Sequence, residues 1–307
     1  MRKTQIKDSH EQVLTVYTYE PTNPAIGLVL IVHGAGEHAL RYDELAVYLQ
    51  AKGFCVVSYD QYGHGDNRMV EDHVVFAEKD GDRMLLDGLY LVHEYASGIN
   101  PKLPLFVIAH SMGSFLVRAS MVEKKDLFDG YIFIGSSYFS KTKLKLSLAL
   151  SRWIIKFKGY DYISPLMTAL TQDKPYKSLK KRGLIHERYE WVTTDLDKQK
   201  ASLEDPLLGK PFTISAQRDV FKLMLKSQTL EALKKHASNK LVHMMCGDGD
   251  PICYYGDGIK KLYGLYYKSG FTNLNYKVYA NVRHELLNEV NRKEVMADIL
   301  NNLMKEL

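Results

Sequence analysis

Four short runs in the first half of the chain, Leu28–Val32, Cys55–Tyr59, Leu105–Ala109 and Tyr131–Ile134, are apolar almost without interruption. A strand with one wet face alternates apolar and polar residues. A run without that alternation suits a strand covered on both faces. Gln12–Tyr19 does alternate, as a half-exposed early strand would. Helical patterns at Tyr42–Lys52, Arg83–Ala96 and Ser114–Glu123 fall between the buried runs. Strand and helix in alternation predict an α/β fold with a mostly parallel, doubly wound sheet.

The alternation stops after Ser137. Residues 138–225 read as helices and loops. It resumes with a helix at Thr229–Ala237, a strand at Lys240–Cys246, a helix at Tyr255–Lys268, a strand at Asn275–Tyr279 and a helix at Arg292–Glu306. The expected organisation is a core of residues 1–137 and 226–307, with a helical cap of 138–225 inserted after the sixth strand. Such a cap would lie over the carboxyl ends of the strands, where open α/β sheets bind ligands.

The run Leu105–Ala109 leads into His110-Ser111-Met112-Gly113 and then a helical pattern. Small residues two before and two after a serine permit a sharp strand-to-helix turn that exposes the hydroxyl. A serine placed there can act as a nucleophile. It then needs a base, an acid that orients the base, and donors for the developing oxyanion. His284, after the last strand and before the last helix, is the expected base among eleven histidines. Asp250 is the expected acid: it closes the Cys246-Gly-Asp-Gly-Asp250-Pro turn, where Asp248 competes with it. The expected oxyanion hole is the pair of backbone N–H groups of Met112, at the helix start, and Ala35, in the glycine-rich turn after Leu28–Val32. That turn lacks the lysine of a phosphate loop. His64 and Asp60 make only a loose set of metal ligands, so no metal is expected.

With these segments in view, the chain resembles the monoacylglycerol lipase and lysophospholipase group of α/β-hydrolases. The likeness is carried by His33-Gly-Ala-Gly-Glu-His38-x-x-Arg41-Tyr42-x-Glu44-Leu45, Asp60-x-x-Gly63-His64-Gly65, His110-Ser111-Met112-Gly113, Gly247-x-x-Asp250 and His284-Glu285-x-x-Asn288-Glu289. Asp205-Pro-Leu and Pro211-Phe-Thr are similar to cap segments of bacterial members. Ala109 departs from the glycine usual at that position. The resemblance implies the α/β-hydrolase fold, a Ser111–His284–Asp250 triad, a lid over an acyl-chain tunnel, a lipid ester as substrate and no cofactor. It also places Glu37 and Arg41 near the head-group end of the pocket. Their spacing fits a structural ion pair on a helix equally well.

The expected activity is therefore serine-dependent hydrolysis of a lipid carboxylic ester. A short-chain carboxylesterase, thioesterase or aminopeptidase would use the same machinery, and a non-catalytic ligand-binding protein could reuse the scaffold. Epoxide hydrolases and dehalogenases need Asp at the elbow. The net charge of +5 is concentrated between Lys141 and Arg182. No nucleic-acid recognition module accompanies it. Leu144–Lys158 mixes leucines, Trp153 and Phe157 with Lys145, Arg152, Lys156 and Lys158. That pattern predicts either a helix lying on an anionic membrane surface or a cap helix packed on the core. Three unpaired cysteines fit a reducing compartment. With no signal peptide or spanning segment apparent, the chain is expected in the cytoplasm, at most peripheral to the inner membrane face.

Overall fold

The computed structural model describes residues 1–307 apart from Ser9, His10 and Gln172. Eight strands form one sheet: β1 (Arg2–Lys7), β2 (Val13–Tyr19), β3 (Gly27–Val32), β4 (Phe54–Tyr59), β5 (Leu105–His110), β6 (Gly130–Ile134), β7 (Leu241–Gly247) and β8 (Leu274–Tyr279). Their order is β1-β2-β4-β3-β5-β6-β7-β8. Pairings β1–β2 and β2–β4 are antiparallel, and every pairing from β4 to β8 is parallel. The mostly parallel, doubly wound architecture is the one the apolar runs imply.

The continuous runs are explained by two cores. Leu28, Leu30 and Val32 of β3 face one core, which also takes Leu85 and Leu89 of α2 (Gly81–Ile99) and Phe115 and Leu116 of α3 (Ser111–Ser120). Val29 and Ile31 face the other, with Leu45 and Leu49 of α1 (Asp43–Ala51). Side chains alternate between the faces, and both faces are dry.

Two readings shift. β1 was not apparent in the sequence, because an edge strand of Arg, Lys, Thr and Gln with Ile6 as its one apolar residue carries little apolar signal. α3 begins at Ser111 rather than Ser114, because the elbow enters the helix with no spacer.

Between β6 and α9 (Leu230–Lys235) the chain forms α4 (Lys141–Lys158), α5 (Pro165–Leu170), α6 (Lys174–Lys181), α7 (Leu196–Glu204) and α8 (Ile214–Lys226). Phe221 and Leu223 of α8 and Leu144 and Leu148 of α4 join the first core. The fold is completed by α10 (Asp257–Lys268) and α11 (Arg292–Met304). Among the described residues no helix is long and apolar enough to cross a membrane.

Candidate active site

Ser111 sits at the junction of β5 and α3 with φ of +45°. A non-glycine residue in the left-handed region is strained and persists only where its surroundings hold it. The hold is visible. Ser114 Oγ donates to the Ser111 carbonyl at 2.6 Å. Gly113 brings α3 against β3 so closely that a Cβ there would lie 2.4 Å from the His33 carbonyl oxygen. Ala109 keeps φ out of the left-handed region, so its methyl is accommodated at the end of the buried strand.

The three side chains expected to cooperate meet at the carboxyl ends of β5, β7 and β8. His284 Nε2 is 2.9 Å from Ser111 Oγ, and His284 Nδ1 is 2.8 Å from Asp250 Oδ2. The carboxylate can only accept, so Nδ1 carries the proton and Nε2 is free to accept from the hydroxyl. Asp250 is fully buried, and its Oδ1 accepts from the Ile252 N–H at 2.7 Å. Burial alone would push its carboxyl up. The adjacent His284 outweighs burial and holds it below the ordinary range. Asp248 turns elsewhere, and its Oδ1 accepts from the Asn281 N–H at 2.8 Å. Gly247 is obligatory at this corner: a Cβ there would lie 1.9 Å from the Val282 carbonyl oxygen.

The glycine-rich turn lies directly against the elbow, for a Cβ on Gly34 would be 3.1 Å from that of Ser111. Its amides are apportioned. Gly34 N–H goes to Glu37, and Gly36 N–H goes to His64 Nε2 at 3.0 Å. Among the described residues no acceptor takes the Ala35 N–H. Met112 lies in the first turn of α3, where N–H groups have no partner inside the helix. His33 Nδ1–H donates to the Gly34 carbonyl, and its Nε2 accepts from Gln61 N–H. Burial lowers His33 to about 4 and His64 to about 3, so both are neutral struts. Asp60 Oδ1 accepts from the Ala39 N–H, and Gly65 lies where any Cβ would strike the Asp60 carboxylate.

Glu37 and Arg41 are both largely buried. Glu37 Oε1 accepts from Tyr42 Oη at 2.8 Å and from His110 Nδ1 at 2.7 Å. Its Oε2 stands 3.3 Å from Arg41 Nε. Burial would raise this carboxyl, but His110 and Arg41 outweigh it and hold it far below the usual range. Burial would likewise lower His110, yet Glu37 reverses the shift and raises it. Arg41 also reaches Glu285 and Ser202 Oγ. The sequence pointed to Glu37 and Arg41 but not to His110, whose partner lies 73 positions away.

Residues from 184 to 213 close over these loops. His38 Nε2 meets Asp205 Oδ2 at 2.8 Å, and Gly209 N–H donates to the Gly36 carbonyl at 3.0 Å. The Trp191 indole stacks on His284, ring centroids 5.3 Å apart. Nothing in the sequence singled out Trp191.

A family model described as serine aminopeptidase, S33 matches residues 23–291. A monoglyceride lipase homolog of Monkeypox virus is 26% identical over 292 residues, covering 92% of this chain and 90% of that protein. The monoglyceride lipase of Rattus norvegicus is 31% identical over 131 residues, 40% of this chain and 39% of that one. Among solved structures, a thermostable carboxyl esterase from Bacillus coagulans superposes with a TM-score of 0.88 at 22% identity, covering 99% of this chain and 98% of its own. That likeness shows the α/β-hydrolase fold.

Proposed function

The chain belongs to the serine aminopeptidase, S33 family of α/β-hydrolases, and from that premise we propose that it hydrolyses carboxylic esters of lipids, monoacylglycerols or lysophospholipids, through an acyl-enzyme on Ser111. The observation that carries the reading is the relay of Ser111 Oγ, His284 and Asp250 at 2.9 and 2.8 Å. Ser111 attacks the acyl carbonyl while His284 Nε2 takes its proton. The oxyanion is received by the Ala35 and Met112 amides, which are preorganised and cost no reorientation. His284 then protonates the leaving alcohol, and water releases the acid by the same steps. Glu37, engaged by Gly34, Tyr42, His110 and Arg41, serves to stiffen the oxyanion loop rather than to greet a substrate cation. This weighs against an aminopeptidase, whose substrate presents an ammonium group.

Residues 138–225 act as the cap in this reading, and α4 as the part that meets lipid. Its Leu144, Leu148 and Ile154 face inward, while Leu146, Trp153 and Phe157 are each more than 60% exposed. Lys145, Arg152, Lys156 and Lys158 are exposed beside them, and no described acid pairs with any. An outward apolar stripe with unpaired cations suits the anionic face of a cytoplasmic membrane.

Ser111→Ala is expected to abolish ester turnover and fluorophosphonate labelling with the fold retained. Labelling that survives would place the nucleophile elsewhere. A chain-length series of monoacylglycerols, lysophospholipids and p-nitrophenyl esters identifies the substrate class. Sedimentation with phosphatidylglycerol vesicles should retain the protein at low salt and release it at high salt. Equal recovery in the supernatant with and without vesicles would remove the membrane from the account.

A further inference from the structure

Trp191 ends a helical turn of residues Arg188–Trp191 and lies nearly flat on the His284 imidazole, with 26° between the planes. The segment that carries it is bonded to the loop that carries His284. Arg283 donates from Nη1 to the carbonyls of Glu190 and Thr193, and from Nη2 to that of Leu184 at 3.2 Å. Glu285 N–H donates to the Val192 carbonyl at 2.7 Å. Glu289 takes the Arg283 N–H on one oxygen and the Thr194 N–H on the other. Indole and imidazole thus belong to one hydrogen-bonded unit, although they are 93 positions apart in the chain.

The Asp250 bond fixes where Nδ1 points but leaves the ring free to rock about that bond. A flat aromatic face removes that freedom. It also offers a cation–π contact to the imidazolium that forms when the Ser111 proton arrives, and indole is the best side chain for that contact. We propose that Trp191 is a positioning residue for His284, holding the ring plane that serves Ser111 and favouring the protonated ring. The inference rests on His284 being the general base. The other groups that face the imidazole are Asp250 and His110, the latter held by Glu37, with Arg41 and Glu285 behind. A substitution at 191 changes none of them.

Trp191→Leu keeps the apolar cover and removes the π face; Trp191→Phe keeps both. The Leu variant should lose about tenfold in kcat with KM within about twofold. The acid limb of its kcat/KM profile should move to lower pH by about half a unit, because the imidazolium loses a favourable contact. Trp191→Phe should restore most of both. A raised KM with kcat and the acid limb unchanged would make Trp191 a mere substrate wall and overturn the proposal. So would a Leu variant equal to wild type. An enzyme-independent arm uses the fact that the chain has two tryptophans. In Trp153→Phe, Trp191 emission should fall on acidification, as imidazolium quenches indole. His284→Asn should abolish that change. A flat emission profile sinks the stacking, whereas an intact profile in a protein without ester turnover sinks the hydrolase reading alone.

Discussion

Gly113→Ala separates precision from stability in this fold. Alanine at a helical glycine ordinarily stabilises by about 1 kcal/mol. At 113 the added methyl would lie 2.4 Å from the His33 carbonyl oxygen and 2.5 Å from that of Val32. Both obstacles are backbone and cannot rotate aside. Ordinary contact begins near 3.4 Å, so α3 must retreat from β3 by about 1 Å. Overpacking of this kind costs about 1–3 kcal/mol, and the propensity gain offsets part of it. Unfolding should therefore move down by only a few degrees. Ser111 sits two residues away on the same turn, and its Oγ must keep its line to His284 Nε2. A misplacement near 1 Å can cost on the order of 100-fold. The expected signature is a small fall in Tm with a fall of about 100-fold in kcat/KM on p-nitrophenyl butyrate, read by calorimetry and initial rates. Gly264→Ala in α10, where a Cβ meets nothing within 4 Å, should raise Tm and leave the rate unchanged. A Gly113→Ala protein that is more stable than wild type and retains its rate within twofold would refute the close-approach argument.

Asp250→Asn should lower kcat by roughly 10⁴ by favouring the wrong imidazole tautomer, while Asp248→Asn, which only weakens the bond to Asn281, should stay within about tenfold; steady-state kinetics on the two variants decides between them. Glu37→Gln leaves a buried His110 without its anion and should destabilise by about 3–5 kcal/mol, seen as a lower urea midpoint; an unchanged midpoint would show the pair to be idle. The neutral histidines set a pH dependence. His33 is lowered to about 4 and His64 to about 3 in the folded chain, whereas unfolded histidine titrates near 6.5. Below about pH 6.5 the unfolded state binds the extra protons. Stability from these two residues is thus full above that pH and is lost as pH falls toward 4 and then 3. Urea midpoints measured from pH 7 to 4 should fall, and more shallowly in His64→Gln. A midpoint that rises on acidification over that range contradicts the assignment.

Much of the core is legible because its signals are local. An uninterrupted apolar run such as Leu28–Val32 needs cover on both faces wherever it lies, so the doubly wound sheet follows from composition of short segments. The elbow is legible for the same reason, since a serine between Ala109 and Gly113 reports a turn that only small residues permit. β1 escaped because an edge strand is defined by its neighbour rather than by its own side chains.

Sequence alone determined the strand–helix alternation, the serine at the elbow and the chain order of Ser111, Asp250 and His284. Tertiary structure decided which of Asp248 and Asp250 faces the imidazole, that Glu37 is spent on His110 and Arg41, and that Trp191 lies over His284. The physical reason is range. Backbone period and turn chemistry act over a few residues, but an acid's partner depends on where a loop 34 positions away comes to rest, and only the packed sheet sets that.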